Sequence, residues 1–306
     1  MAKNERSSLT RGLPVRRRVY DIVMRALLYL SAAAVCALLV FLVGYIFYRG
    51  LPNLSWEFLT SQESVLAGTD GILPAIKNTV YVIVVTLLLI LPLGVGAAIY
   101  LNEYATNHRL VSAIEFATET LSGIPSILYA LVGVLFFCQF LSLQKTLLAG
   151  SLTLVMMTLP TIIRTTQESL KTVPQGYREG ALALGAGKWR VIRTIVLPCT
   201  VDGIVTGCIL AIGRIVGESA VLMFTAGIGT SMQDFFNVHS LSRTWKGLTA
   251  SSGATLTVAL YVYAKERANY DLAFTVASVL MILTLLINLL AKIAGKKLGK
   301  NKAGDE

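Results

Sequence analysis

The sequence predicts an all-α integral membrane protein with six transmembrane helices. Its 306 residues are 55% hydrophobic and only 14% charged, with a mean hydropathy of +0.67, which is too apolar for a soluble domain. The apolar residues come in long blocks, most of them close to the roughly 20 residues that a helix needs to cross a bilayer. Cations gather in the segments between these blocks.

The hydropathy pattern predicts a transmembrane domain of residues 26–294 with six spans. The spans cover about 26–48, 78–102, 120–142, 146–163, 201–224 and 272–291. Residues 1–25 form a basic N-terminal segment, and residues 295–306 a polar tail. The segment 225–271 contains a shorter apolar stretch, which we expect to form an external helix close to the membrane interface rather than a seventh span.

The distribution of positive charge predicts the orientation of the chain. Six helices threaded from a cytoplasmic N-terminus place 19 of the 27 Lys and Arg residues on one side. Cytoplasmic loops of membrane proteins carry such an excess. We therefore expect both termini in the cytoplasm and the segment 225–271 outside. The net charge of +10 is explained by this topology and by attraction to anionic lipid, so nucleic acid is not an expected partner.

No catalytic, metal or cofactor site is predicted. The four cysteines show no CxxC spacing and the two histidines are isolated, so a metal cluster is not expected. The stretch ending in Gly187-Lys188 resembles a phosphate-binding loop only superficially. Leu182 stands where that loop needs glycine, and Trp189 where it needs Ser or Thr. If transport is driven by ATP, hydrolysis must occur on another polypeptide.

A polar, basic loop at residues 164–198 separates the fourth span from the fifth. Glu179-Gly180-Ala181 is followed after three residues by Gly185, and nine more lead to Ile195-Val196-Leu197-Pro198. Val173-Pro174 should end the preceding helix, and the glycines should divide the loop into short helices at about 175–184 and 188–196. Its small residues would let a partner approach the backbone closely.

The fifth span contains the sequence GRIVGES at residues 213–219, with two charges inside the membrane. An isolated Arg at the centre of a bilayer costs about 2.5–3.5 kcal/mol. Arg214 and Glu218 are four residues apart, so on one helix they share a face and can pair. They either line a path for an anion or form an internal salt bridge that fixes helix packing. Gly203, Gly207, Gly213 and Gly217 indicate close packing, within the bundle or against a partner.

These motifs resemble a known family of transporters. The loop resembles the EAA loop of bacterial ABC-importer permeases, with Gly180 in place of the usual second alanine. Together with TLSGIPSILYALVGV at 120–134 and GRIVGESAVLMFTAG at 213–227, it resembles the phosphate-specific ABC importers, and among them the PstA-type permease. The resemblance covers about residues 74–230.

The resemblance implies a type I ABC-importer permease fold in the bacterial inner membrane. One such subunit would assemble with a homologous PstC-type permease, two ATPase subunits and an extracytoplasmic phosphate-binding protein. Arg214 and Glu218 would act in phosphate passage. Docking to the ATPase would involve the loop residues Glu179, Gly180, Ala181, Gly185, Leu197 and Pro198.

Three other hypotheses remain open at this point. The loop does not distinguish phosphate from sulfate, molybdate or phosphonate as the transported anion. A secondary transporter would need no ATPase and no polar loop of this spacing. A membrane anchor or sensor without transport is disfavoured by the charged pair inside a span.

Overall fold

The computed structural model describes residues 15–64, 69–229 and 252–300. The chain in these ranges is largely helical, with a short antiparallel β-hairpin, in which β1 (Gln62–Ser64) pairs with β2 (Thr69–Ile72). The helices are α1 (Val15–Gly50), α2 (Trp56–Thr60), α3 (Leu73–Ile99), α4 (His108–Ser122), α5 (Ser126–Gly133), α6 (Leu147–Thr172), α7 (Gln175–Ala183), α8 (Lys188–Val191), α9 (Leu197–Gly217), α10 (Ala220–Thr225), α11 (Leu256–Tyr261) and α12 (Tyr270–Lys300). Wider turns of π type extend α3 (Tyr100–Tyr104), α5 (Val134–Phe140), α8 (Ile192–Val196) and α11 (Val262–Glu266).

Five helical segments of the described chain are long and apolar enough to cross a membrane. They are Val19–Asn53, Leu73–Tyr104, Leu147–Thr172, Lys188–Gly217 and Tyr270–Lys297. A sixth crossing is reached if the bent pair of α4 and the α5 helix with its extension counts as one span. The described architecture is therefore that of an all-α protein with five or six membrane helices.

The third predicted span is not one continuous helix. The structure divides the region at residues 123–125, where α4 and the helix Ser126–Phe140 meet at 99°. The cause is local, because Ile124 precedes Pro125 and a residue before proline disfavours the helical conformation. Within the predicted span 120–142, the helix after the bend therefore covers only Ser126–Phe140. The start of the predicted span belongs to the amphipathic helix α4.

The fifth predicted span is also interrupted. Helix α9 ends at Gly217, Glu218 is extended (φ −83°, ψ 109°), and α10 begins at Ala220. At its other end α9 continues back through the turn Ile192–Val196 into α8. The helical segment that enters the membrane here thus starts at Lys188, earlier than the sequence pattern indicates.

The core lies where α3, α6 and α9 pack together. Its fully buried side chains include Val82, Leu154, Met157 and Ile215, and Val221, Leu222 and Val258 join them from α10 and α11. Helix α1 lies outside this core and is exposed along most of its length. It is joined to α12 near its C-terminus, where Thr275 and Ser278 donate hydrogen bonds to the carbonyls of Gly50 and Ile46 (3.1 and 3.2 Å).

Part of the segment 225–271 is buried in the bundle. Residues 253–258 are all buried. Asn78 donates to the Ala254 carbonyl at 3.1 Å, and the Leu256 amide donates to the Thr79 hydroxyl at 2.9 Å. Amides of Gly253 and Ala254 also donate to residues 226 and 229. The structure thus forms a helix in this part of the predicted external segment, α11, and its first turn is buried; residues 230–251 lie outside the described ranges.

Candidate functional site

The α7–α8 hairpin (residues 173–196) lies at one end of the bundle, here called the hairpin end. Helix α6 ends at Thr172, and Val173 is extended ahead of Pro174. Gly185 separates α7 from α8 with a φ of +83°, a left-handed conformation that glycine adopts without steric cost. The hairpin is thus a jointed pair of short helices attached directly to two long ones.

The motif residues of this hairpin are divided between an open and a packed side. Glu179, Gly180 and Gly185 are exposed, and a Cβ added at either glycine would meet no atom within 4 Å. Ala181 is half-buried and packs on the apolar cluster below. Leu197 and Pro198 are half-buried at the start of α9, directly after the wider turn Ile192–Val196. The open side leaves room for another protein to reach the backbone.

The other side of the hairpin is held by a buried ion pair that the sequence analysis missed. The Arg178 guanidinium donates to the Glu103 carboxylate at 2.9 and 3.1 Å, and the two side chains are 12% and 8% exposed. Arg178 also donates to the carbonyls of Val173 and Leu170 at 2.7 and 2.9 Å. Glu103 belongs to the extension of α3 and Leu170 to α6, so Arg178 attaches α7 to two membrane helices. The two partners are 75 residues apart, so no sequence spacing could indicate it.

An apolar cluster completes the attachment of the hairpin. It consists of buried side chains from α3, α6 and α8, among them Ala98, Ile163, Leu170, Ile192 and Val196. The Lys188 ammonium lies 5.0 Å from the centre of the Tyr104 ring, a distance at which a cation is attracted to the ring face. A cavity of about 600 Å³ adjoins the pair at Glu103 and Arg178 and extends to Glu179. The hairpin is therefore firmly packed against the ends of α3 and α6.

The second candidate site is the break after α9, which carries the two charges of the fifth span. Arg214 and Glu218 are both half-buried. Since Glu218 has left the helix, the two do not share a helical face, and no ion pair within 4.0 Å joins them among the described residues. The salt bridge, one of the two arrangements that the sequence left open, is therefore not formed among the described residues.

Each of the two charges has a different neighbour instead. Arg214 donates to the Thr161 hydroxyl of α6 at 3.4 Å, its one side-chain hydrogen bond among the described residues. The Ser126 hydroxyl at the start of α5 lies close to the Glu218 carboxyl. Thr257, next to α10 in the buried segment, donates to the Glu218 backbone carbonyl at 3.4 Å. Four elements of the bundle thus converge on the break in the fifth span.

A second cavity lies beside Thr161, the partner of Arg214. It has a volume of about 490 Å³ and lies between α4 and α6. Thr161, the partner of Arg214, lines it together with polar residues nearer the hairpin end. At the opposite end, the space enclosed by Thr79, Val216, Leu222 and Thr257 holds no room for water. The cavity between α4 and α6 thus reaches Thr161, the hydrogen-bond partner of Arg214, whereas the side chains around Val216 and Thr257 are closely packed.

The four glycines of α9 fall into two pairs with different surroundings. A Cβ at Gly203 or Gly207 would collide with Ser169 or Thr165 of α6, so this pair allows close packing inside the bundle. A Cβ at Gly213 or Gly217 would meet nothing within 4 Å. The face of α9 beside Arg214 is therefore open in the single chain. No group of metal-ligating side chains occurs in the described residues.

Comparison with known proteins defines the class of this chain. Residues 90–301 match the family model of the binding-protein-dependent transport system inner membrane component, and the chain belongs to this family. It is a multi-pass membrane protein and a permease subunit of an ABC importer.

Named relatives place it more closely within the class. It is 33% identical to the probable ABC transporter permease protein YqgI of Bacillus subtilis (strain 168), over 94% of this chain and 98% of that protein. It is 31% identical to the phosphate transport system permease protein PstA 1 of Mycobacterium tuberculosis (strain ATCC 25618 / H37Rv), over 92% of this chain and 89% of that protein.

Solved structures show the same fold. A chain of the bacterial ABC transporter that imports the acidic polysaccharide alginate superposes with a TM-score of 0.62 over 92% of this chain and 99% of that one. A chain of the methionine transporter MetNI, in an inward-facing conformation, gives a TM-score of 0.56 over 76% of this chain and 95% of that one. Both are 17% identical, so they establish the fold and not the substrate. The type I ABC-importer permease fold expected from the sequence is confirmed.

Proposed function

We propose that this chain is the PstA-type membrane subunit of an ATP-driven importer of inorganic phosphate. The observation that supports the proposal most directly is the environment of Arg214. It is a half-buried cation inside a membrane helix, with a hydroxyl as its one side-chain partner among the described residues. A charge in this position normally has a partner or a function. Relatives named as phosphate permeases, at about 30% identity, support phosphate as the anion that Arg214 meets.

The path for the anion runs past Arg214 and Glu218. Arg214 attracts the anion, and the nearby carboxylate of Glu218 weakens this attraction so that the anion is released. The cavity between α4 and α6 provides the route between this site and the hairpin end. The orientation inferred from the charge distribution makes the hairpin end cytoplasmic, with both termini on that side of the bacterial inner membrane.

The hairpin couples this path to a separate motor. Its open side, with Glu179, Gly180 and Gly185, is the surface that an ATPase subunit would contact. Through Arg178 and Glu103 a force on α7 reaches α3 and α6 directly, and Leu197-Pro198 links it to α9. The ATP is hydrolysed by that partner and not by this chain.

The complete transporter contains further subunits. Two ATPase subunits and a homologous PstC-type permease would surround this chain, and the open face at Gly213 and Gly217 is available to the second permease. A phosphate-binding protein outside the membrane would deliver the anion. The alginate transporter has been solved in complex with a ligand-bound periplasmic protein, which supports this arrangement by analogy of fold.

The variant Arg214→Gln tests the role in anion passage. We expect normal insertion and assembly but loss of phosphate uptake by about tenfold or more, because a charge-assisted hydrogen bond to the anion is removed. Uptake of labelled phosphate by cells that depend on this importer measures the effect. Arg109→Gln is the matched control, since Arg109 is exposed at the start of α4. Wild-type uptake by Arg214→Gln would refute the role of Arg214 in the path.

The same assay determines the substrate. Unlabelled phosphate should compete with the label, whereas sulfate, molybdate and phosphonate should not. If one of these three competes better than phosphate, the chain is a permease for that anion instead.

A further inference from the structure

Thr161 differs from most threonines of α6 in how its hydroxyl is used. Threonine hydroxyls inside helices commonly donate to a backbone carbonyl one turn earlier. Thr153, Thr158 and Thr165 do so, at 2.8, 2.6 and 2.9 Å. The Thr161 hydroxyl instead accepts a hydrogen bond from Arg214 on α9. Among the described residues no group accepts its proton.

This arrangement leaves two kinds of donor side by side. A hydroxyl has one proton to donate and two lone pairs that can accept. Because Thr161 accepts from the guanidinium, its O–H remains available for another acceptor. Arg214 has five N–H donors, and one of them is used in this contact. An oxyanion offers several acceptor oxygens and can engage both side chains at once.

The cavity places this pair of donors where an anion can reach it. Thr161 lines the cavity of about 490 Å³ that opens toward the hairpin end. The two cations that line this cavity are paired, since Arg164 lies 3.1 Å from Glu168 and Lys171 lies 3.4 Å from Glu115. The third lining carboxylate, Glu119, lies 3.8 Å from Arg164. Arg214, which Thr161 contacts, forms no ion pair with a carboxylate among the described residues.

We propose that Thr161 is a second contact for the transported oxyanion, donating its hydroxyl proton to an anion oxygen while it orients the Arg214 guanidinium. The proposal rests on the proposed function, because it assumes that the anion passes Arg214. It adds a residue of α6, 53 positions away from Arg214 in the sequence, to the groups that select the anion. An anion without a free acceptor oxygen would lose this contact.

The test uses the complete transporter in proteoliposomes, with its permease partner, ATPase subunits and phosphate-loaded binding protein. Three variants are compared with the wild type. Thr161→Val keeps the shape of the side chain and removes the hydroxyl, whereas Thr161→Ser keeps the hydroxyl. Thr158→Val is the matched control, because the Thr158 hydroxyl is fully buried one turn away and bonds to its own helix. Labelled inorganic phosphate uptake and ATP hydrolysis are measured together.

We expect Thr161→Val to lower phosphate uptake about tenfold, the effect of one lost hydrogen bond to a charged group. Stimulation of ATP hydrolysis by the loaded binding protein should stay at the wild-type level, so more ATP is used per phosphate. Thr161→Ser should restore uptake, and Thr158→Val should transport normally. A role of Thr161 in packing alone would lower assembly and stimulated hydrolysis together.

Two results would overturn the inference. One is wild-type uptake by Thr161→Val. The other is a loss of uptake and of stimulated hydrolysis together, without rescue by serine. If Arg214→Gln is impaired while Thr161→Val is not, only the role of Thr161 fails. If Arg214→Gln also transports normally, the proposed anion path itself fails.

Discussion

The two arginines Arg178 and Arg214 show opposite ways of holding a charge in an apolar bundle. Arg178 is nearly buried, pairs with the buried Glu103 and donates to two backbone carbonyls as well. Arg214 is half-buried and has one hydrogen bond of 3.4 Å, to a hydroxyl, among the described residues. The first has its hydrogen-bonding capacity largely used inside the protein. The second uses one of its five N–H donors among the described residues.

This difference in hydrogen bonding indicates that the charge of Arg178 has a structural role. A fully partnered charge fixes the position of the hairpin, and removing one partner leaves the other buried and uncompensated. A cation without a carboxylate contributes little to stability, so its presence in a span needs another reason. Stability measurements on matched variants can therefore separate the two roles.

The largest effect on stability should come from Glu103→Gln. This change leaves the Arg178 charge buried without its carboxylate, at a cost of about 3–5 kcal/mol. Unfolding of the purified protein in detergent, with proteolysis of the α7–α8 hairpin as a local probe, measures it. Lys171→Gln is the control, because Lys171 and Glu115 form an exposed pair that contributes about 1 kcal/mol or less. A cost for Glu103→Gln as small as that of the control would contradict the structural role.

A smaller effect should follow from Gly185→Ala. The left-handed backbone at this position costs a residue with a Cβ about 1–2 kcal/mol. Gly180→Ala is the matched variant, since Gly180 lies in α7 with open space around it and should gain about 0.5–1 kcal/mol. Unfolding in detergent measures both, and stimulated ATP hydrolysis in the reconstituted complex shows whether the joint is needed for coupling. Equal stability of the two variants would mean that the left-handed conformation at position 185 does not disfavour a residue with a Cβ.

The smallest effect on stability is expected for Arg214→Gln, although its effect on uptake is large. Removal of one long hydrogen bond to a hydroxyl should change the free energy of unfolding by about 1 kcal/mol or less. The same detergent unfolding experiment used for Glu103→Gln compares the two arginine sites directly. If Arg214→Gln destabilises the protein as much as Glu103→Gln, Arg214 belongs with the structural charges and the comparison is wrong.

Local sequence signals predicted some elements well and others poorly. The apolar blocks and the proline at 174 indicated the long helices and the start of the hairpin, because these depend on nearest neighbours in the chain. The buried position of residues 253–258 was not predictable, since it depends on Asn78 and Thr79, more than 170 residues earlier. Their mixed polarity resembles an exposed loop until these distant partners are known.

The candidate site shows the same division. The motif spacing identified Glu179, Gly180 and Gly185, which the structure places on one exposed surface. The charges of the fifth span were also found, but the pairing that helical spacing would allow is not formed, because the helix ends before Glu218. Ser126, Thr161 and Thr257 were missed, because single hydroxyl residues in apolar segments carry no signal of their neighbours.

By itself, the sequence determined that this chain crosses the membrane several times, that a jointed polar hairpin lies between two spans, and that one span contains charges. These properties follow from hydropathy and from backbone preferences that act over a few residues. The tertiary structure alone decided that Glu218 leaves its helix and that Arg178, not Arg214, has the carboxylate partner. The reason is that a freed backbone carbonyl or a buried charge is stabilised by whichever group packs against it, and in both cases that group comes from a distant helix.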